Sequence, residues 1–217
     1  LKLDIIYNED CLEGMKKRFL DKSIPLILTD PPYGLNIASG GSVSIKGACR
    51  KKREFVPSDW DKFIPSKEYF EEMFRVSENQ IIWGGNYFTD FFYPSQGWLV
   101  WYKKEGLISK SFADCELAWT SFQTPAKVIS SRWHGFIRDS KEQRVAHPTQ
   151  KALEVIKWCI CEFSNEGDII LDPFMGSGTT AVACKQLNRR YIGFEISKEY
   201  CEIAKERLNK IQLELIN

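Results

Sequence analysis

Four short apolar runs in this chain each lead into a carboxylate. Leu3–Tyr7 is followed by Asp10, Pro25–Thr29 by Asp30, Asp168–Leu171 by Asp172, and Tyr191–Phe194 by Glu195. Pro25–Thr29 is apolar without alternation, as expected of a parallel strand buried on both faces. Between these runs lie segments with helical spacing. Cys11–Leu20 aligns Leu12, Met15 and Phe19, and Thr149–Phe163 aligns Leu153, Ile156, Ile160 and Phe163. Ser66–Val76, Gly178–Leu187 and Ser197 onwards to Leu215 behave alike, with Ser197 placed to cap the last helix. Further strands are expected at Gln80–Trp83, Trp98–Tyr102, Leu117–Trp119 and Lys127–Ser130. This alternation predicts an α/β fold with a largely parallel sheet. In open sheets of that kind ligands bind beyond the carboxyl ends of the strands, so the four acids would meet in one crevice. Such a crevice suits a ligand with hydroxyls, an amino group and a positive charge better than a dinucleotide pyrophosphate. Taken singly, each acid reads equally well as a helix cap or turn former.

Bulk properties narrow the function classes. The 217 residues are 43% apolar and 27% charged, enough for one sizeable core. A net charge of +1 leaves no global electrostatic footprint for nucleic acid, so such binding would need a local patch. The seven Cys are odd in number and include no C-x-x-C pair, which argues for reduced thiols rather than disulfides. With only two His, no metal centre is expected. There is no signal-peptide pattern, and no apolar run approaches the roughly 18 residues of a membrane helix, so a cytoplasmic location is expected.

Two loops carry the chemistry. Asp172 opens DPFMGSGTT, where Gly176 and Gly178 let the backbone turn tightly and the following helix offers unbonded N–H groups. The loop lacks the third Gly of a dinucleotide fingerprint and the Gly-Lys-Ser/Thr of a P-loop. Asp30 opens Asp-Pro-Pro-Tyr. Its two prolines stiffen the turn and remove two N–H donors, leaving carbonyls to accept. An acid, a carbonyl and an aromatic ring on one rigid turn can hold a planar, amino-bearing ring by stacking and hydrogen bonding. Gly84–Gly85, after an expected strand, reads either as a close approach to this site or as a simple turn.

These motifs resemble the amino-methylating DNA methyltransferases. Asp30-Pro31-Pro32-Tyr33 is similar to their catalytic motif and Leu171-Asp172-Pro173-Phe174-Met175-Gly176-Ser177-Gly178-Thr179 to their cofactor loop. His147-Pro148-Thr149-Gln150-Lys151 resembles the segment before that loop, and the order matches the permuted β-group. The resemblance implies a Rossmann-like, circularly permuted fold with a mostly parallel seven-stranded sheet and helices on both faces. It implies S-adenosylmethionine as cofactor, with Asp172, Phe174, Gly176, Ser177, Gly178 and Thr179 wrapping it. Glu195 would bind its ribose, Asp10 and Cys11 its adenine, and Thr149 and Lys151 would sit near its methionine end, with Asp30, His147 and Gln150 as further cofactor-binding residues. Lys151 or the helix start beside it would balance the methionine carboxylate. The family often has Pro after that Lys, where this chain has Ala152, a residue that propagates a helix well.

By the same resemblance Asp30, Pro31, Pro32 and Tyr33 are catalytic, and the substrate is the N6 amine of adenine in double-stranded DNA, flipped out of the duplex. Asp rather than Ser at position 30 favours adenine over the N4 amine of cytosine. A non-catalytic S-adenosylmethionine sensor that regulates DNA is the rival from another class. The chain reads as a single catalytic domain over residues 1–217, with a loop at 34–58 and a candidate target-recognition region at 121–146. Lys46, Arg50, Lys51, Lys52 and Arg53 read as a phosphate-contacting arm or equally as a solvated loop, and Arg132 and Arg138 as further DNA contacts. A homodimer and a nearby-encoded restriction endonuclease are partners the sequence leaves open.

Overall fold

The computed structural model describes residues 1–34, 64–103, 113–131, 133–134, 137–138 and 150–216. The first half of the chain forms β1 (Ile5–Tyr7), α1 (Cys11–Arg18), β2 (Ile24–Thr29), α2 (Lys67–Val76) and β3 (Ser77–Trp83). The middle supplies β4 (Trp98–Tyr102), β5 (Cys115–Thr120), β6 (Lys127–Ser130) and the two-residue strands β7 (Trp133–His134) and β8 (Ile137–Arg138). The last third adds α3 (Leu153–Phe163), β9 (Ile169–Asp172), α4 (Thr179–Gln186), β10 (Arg190–Phe194) and α5 (Lys198–Ile216).

One sheet unites eight of these strands in the order β1-β10-β9-β2-β3-β5-β4-β6. Seven run in one direction and β5 alone runs against them. The seven-stranded expectation is therefore short by one among the described residues. The strand beyond the seven that the resemblance implies is the edge strand β6, which falls on the Lys127–Ser130 run expected from the sequence and pairs parallel to β4. Among the described residues β7 and β8 pair only with each other.

Two apolar layers cover the sheet. Leu26 and Leu28 of β2, Ile81 and Trp83 of β3 and Ile170 of β9 pack with α3, α4 and the Leu208–Ile211 turn of α5. Ile27, Ile82, Leu171, Ile192 and Phe194 pack with Met15 of α1 and Phe70, Met73 and Val76 of α2 on the opposite side. The unbroken apolar character of β2 follows from this double coverage.

The topology creates a switch point. The chain leaves β9 towards β10 but leaves β2 towards β3, and β9 and β2 are neighbours. A crevice opens at the carboxyl ends of such a pair.

One helix boundary departs from its expectation. α3 begins at Leu153, and Ala152 sits outside it as an extended cap with φ −64° and ψ 130°. Gln150 and Lys151 are buried yet non-helical, because the Lys151 ammonium is drawn into ion pairs behind the helix start. The high helix propensity of Ala152 consequently plays no part. The last helix begins as the sequence suggests, with the Tyr200 amide donating to the Ser197 hydroxyl at 3.3 Å. Among the described residues no helix is long and apolar enough to cross a membrane.

Gly178 caps α4 in the left-handed region at φ +82°, and a Cβ there would lie 2.6 Å from that of Ala204 in α5. Gly178→Ala should therefore destabilise the protein by roughly 1–3 kcal/mol from backbone strain alone. Urea unfolding of the variant beside the native chain checks this, and an unchanged midpoint would contradict it.

Candidate active site

The register of the sheet gathers the four strand-end acids. Tyr7 pairs with Phe194, Gly193 with Asp172 and Ile27 with Leu171, so Asp10, Glu195, Asp172 and Asp30 leave adjacent strands at one edge. The fields of three of them overlap at Cys11, whose buried thiol is pushed up by burial and then by the charges of Asp10, Asp172 and Glu195.

Each acid also does local structural work. Asp10 caps α1, accepting from the Leu12 and Glu13 amides at 2.8 and 3.4 Å, and its other oxygen accepts from the Tyr69 hydroxyl at 2.7 Å. The capping reading is thus correct for Asp10. Asp172 is 3% exposed and accepts from Thr29 at 2.7 Å, Thr180 at 2.6 Å and the Phe174 amide at 3.1 Å. Glu195 accepts from the Gly176 and Ser197 amides at 2.8 and 2.7 Å.

These bonds clamp the Gly loop from three sides. Asp172 holds its start and Glu195 holds Gly176. Arg207 of α5 donates to the Ser177 carbonyl at 2.6 Å, the Ser177 hydroxyl at 3.2 Å and the Thr179 hydroxyl at 3.1 Å. Ser177 and Thr179 thus face α5, and Phe174 lies beside Tyr69 with ring centroids 6.2 Å apart.

At the end of β2, the Tyr33 hydroxyl donates to Asp30, and the Tyr33 ring stacks on Tyr87 at 4.9 Å and 16°. Pro31 is buried and Pro32 half-buried. Gly84 is required here: it has φ +69°, and the space its side chain would fill belongs to the Tyr33 ring. Of the two readings of Gly84–Gly85, close approach to the site is the one observed.

Lys151 lies beneath this turn, 8% exposed, with its ammonium 3.0 Å from Asp30 and 2.5 Å from Glu116 of β5. Lys103, just beyond β4, pairs with Glu116 in turn. The structure therefore places Lys151 with the acid of the Asp-Pro-Pro-Tyr turn. Gln150 is buried beside it in the chain.

Sequence reasoning missed Glu116, Lys103, Tyr87, Tyr69 and Arg207. The one usable signal was Glu116 itself, an acid inside the strand Cys115–Thr120. Lys46, Arg50, Lys51, Lys52, Arg53, Arg132, His147 and Thr149 lie outside the described residues, as does most of the 34–58 loop; Arg138 is described only as backbone in β8.

Acids at the carboxyl ends of adjacent parallel strands at a switch point, beside a Gly loop and an Asp-Pro-Pro-Tyr turn, make a Rossmann-like arrangement that suits a hydroxyl- and amine-bearing cofactor. Comparison with known proteins supplies the family. Residues 77–206 match the family model described as DNA methylase, whose name covers N6 and N4 enzymes together. The chain is 32% identical to the type II methyltransferase M.HpaI of Haemophilus parainfluenzae, over 92% of this chain and 73% of that one. It is 36% identical to M2.LlaDCHI of Lactococcus lactis subsp. cremoris, over 95% and 89%. The crystal structure of the M1.HpyAVI–SAM complex superposes with a TM-score of 0.60 at 25% identity, covering 93% of this chain and 98% of that one. The chain belongs to the DNA methylase family.

Burial raises the carboxyls of Asp172 and Glu195 from 3.8 and 4.5 to about 6, against the pull of their hydrogen-bond donors. The folded state therefore binds more protons than the unfolded chain between those values, and these groups make stability fall as pH rises through that window. Asp172→Asn should show a smaller drop in Tm between pH 4.5 and 6.5 than the native chain, by calorimetry in matched buffers. An identical drop would contradict the assignment.

Proposed function

We propose that the protein methylates the exocyclic N6 of adenine in double-stranded DNA, at a specific site, with Asp30, Pro31, Pro32 and Tyr33 as its catalytic turn. The observation that carries this reading is the position of Asp30 and Tyr33 beside the switch-point crevice, next to the clamped Gly loop. S-adenosylmethionine is the cofactor. It supplies a methyl group already activated on a sulfonium, so the protein's task lies with the nucleophile.

The residues present suit that cofactor. Glu195 offers carboxylate oxygens to ribose hydroxyls, and the half-buried Phe174 and Tyr69 offer ring surface to an adenine beside Asp10 and Cys11. The acids favour the positive sulfonium. Lys151 is already committed to Asp30 and Glu116, so its charge reaches the methionine end only through that network.

An exocyclic amine is a poor nucleophile because its lone pair is delocalised into the base. Asp30 accepts one of its hydrogens and the Pro31 carbonyl the other, which favours a pyramidal nitrogen whose lone pair points at the methyl carbon. Tyr33 stacks on the flipped base, and Tyr87 extends that aromatic wall. The Asp30 side chain remains 25% exposed, enough for contact with a ligand. The proton leaves after transfer, so Asp30 acts as an acceptor rather than a strong base.

The cytosine-N4 reading stands as the second one, because the matched family model is named for both amines. Incubation with unmethylated DNA and methyl-labelled cofactor, followed by nucleoside separation, distinguishes them. Label in N6-methyladenine is expected; label in N4-methylcytosine selects the second reading, and binding without label selects the sensor. Asp30→Ala should lower turnover by at least about 100-fold while cofactor affinity stays within about threefold. Near-native turnover in that variant would sink the role of Asp30.

A further inference from the structure

Behind the catalytic turn runs a chain of alternating charge, Lys103–Glu116–Lys151–Asp30, contributed by four separate stretches of sequence. The Lys151 ammonium has three hydrogens and three oxygen partners. Glu116 lies at 2.5 Å, Asp30 at 3.0 Å and the Tyr33 hydroxyl at 3.3 Å. Trp83, Tyr33 and Trp101 surround it, with ring centroids at 5.4, 5.8 and 6.0 Å, and these rings favour a cation. The ammonium is thereby held in place.

The proportions matter for the chemistry. A carboxylate whose charge is matched one-to-one by a buried ammonium keeps free lone pairs but is a weaker acceptor for a neutral amine, because the cation offsets its negative potential. Here one ammonium is divided between two carboxylates, and Glu116 is the nearer. Lys103 pairs with Glu116 as well, so Glu116 stays ionised between two cations. Resting on the reading of Asp30 as the acceptor of the target amine, we propose that Glu116 is a positioning residue for methyl transfer. By sharing Lys151 it orients Asp30 without neutralising it, and so leaves an Asp30 oxygen able to accept from the base.

The surrounding charges agree. Asp30 faces Tyr33 on its own turn, Lys151 before α3, Glu116 on β5 and Asp172 on β9, with Lys103 one step behind. Burial pushes the Asp30 carboxyl up, Lys151 pulls it down and Glu116 pushes it up again. Burial also works against the Glu116 charge, but Lys151 and Lys103 together hold its carboxyl at about 2, so it is anionic at every working pH. Removing that charge takes away the repulsion that raises the Asp30 carboxyl and lets Lys151 close on it. The Asp30 carboxyl then falls.

The test is the single-turnover methyl-transfer rate on DNA as a function of pH, for the full chain with cofactor. Glu116→Gln should slow transfer about tenfold or more. Its acid limb should move to lower pH by at least about half a unit, with KM for the cofactor within about twofold. Glu116→Asp keeps the charge and should restore the native acid limb with much of the rate. Lys103→Met frees Glu116 to hold Lys151 more closely, so its limb should move the other way, to higher pH; this variant also serves if Glu116→Gln does not fold. Acid limbs that stay at the native position make Glu116 a structural residue only and overturn the proposal. Turnover by Asp30→Ala would instead mark failure of the underlying reading.

Discussion

Across the switch point, the Thr29 hydroxyl donates to the buried Asp172 carboxylate at 2.7 Å, joining residues 143 positions apart in the chain. Thr29 is the last residue before the Asp-Pro-Pro-Tyr turn, and Asp172 is the first of the Gly loop. Together with the pairing of Leu26 with Ile170 and Ile27 with Leu171, this contact fixes the spacing between the two halves of the site. A buried carboxylate without partners would cost several kcal/mol, so its three donors also explain why the loop takes one conformation. Everything placed by the Gly loop, including the Glu195–Gly176 bond, inherits that reference point.

The second constraint is the cost of burying charge behind the Asp-Pro-Pro-Tyr turn. Two acids and two lysines cancel in number, and none of the four is stranded. Buried pairs of this type often add little net stability, because desolvation consumes the Coulomb gain. Their value here is geometric. Asp30 is held from behind by Lys151 and from the side by Tyr33, whose ring in turn fills the space that Gly84 leaves open. The aromatic stack and the ion network thus fix the same carboxylate from different directions.

Much of this architecture was legible in the residues. Runs such as Pro25–Thr29 and Asp168–Leu171 are short, apolar and bounded by turn formers, and local pattern alone identifies them. Asp172, Gly176 and Gly178 announced a tight loop because their conformational needs are local. Lys151 was legible as a site residue but not in its partners, since nothing near position 151 points to Asp30 or Glu116. Arg207 and Tyr69 were invisible for the same reason: they act across the fold, from helices whose sequences read as ordinary amphipathic surface. The start of α3 was misjudged because a long-range ion pair outweighed the propensity of Ala152.

The sequence by itself determined the alternation of strands and helices, the acids at the strand ends and the residue types in each loop. The elements and the residue types in each loop depend on neighbours a few residues apart, whereas the chemistry of a loop depends on what the fold brings to it. Only the tertiary structure decided that β2 lies against β9, that the Lys127–Ser130 strand joins the sheet at its edge beside β4 and that Glu116 stands behind Asp30. Those outcomes depend on which surfaces are buried together, and burial is a property of the assembled sheet rather than of any one segment.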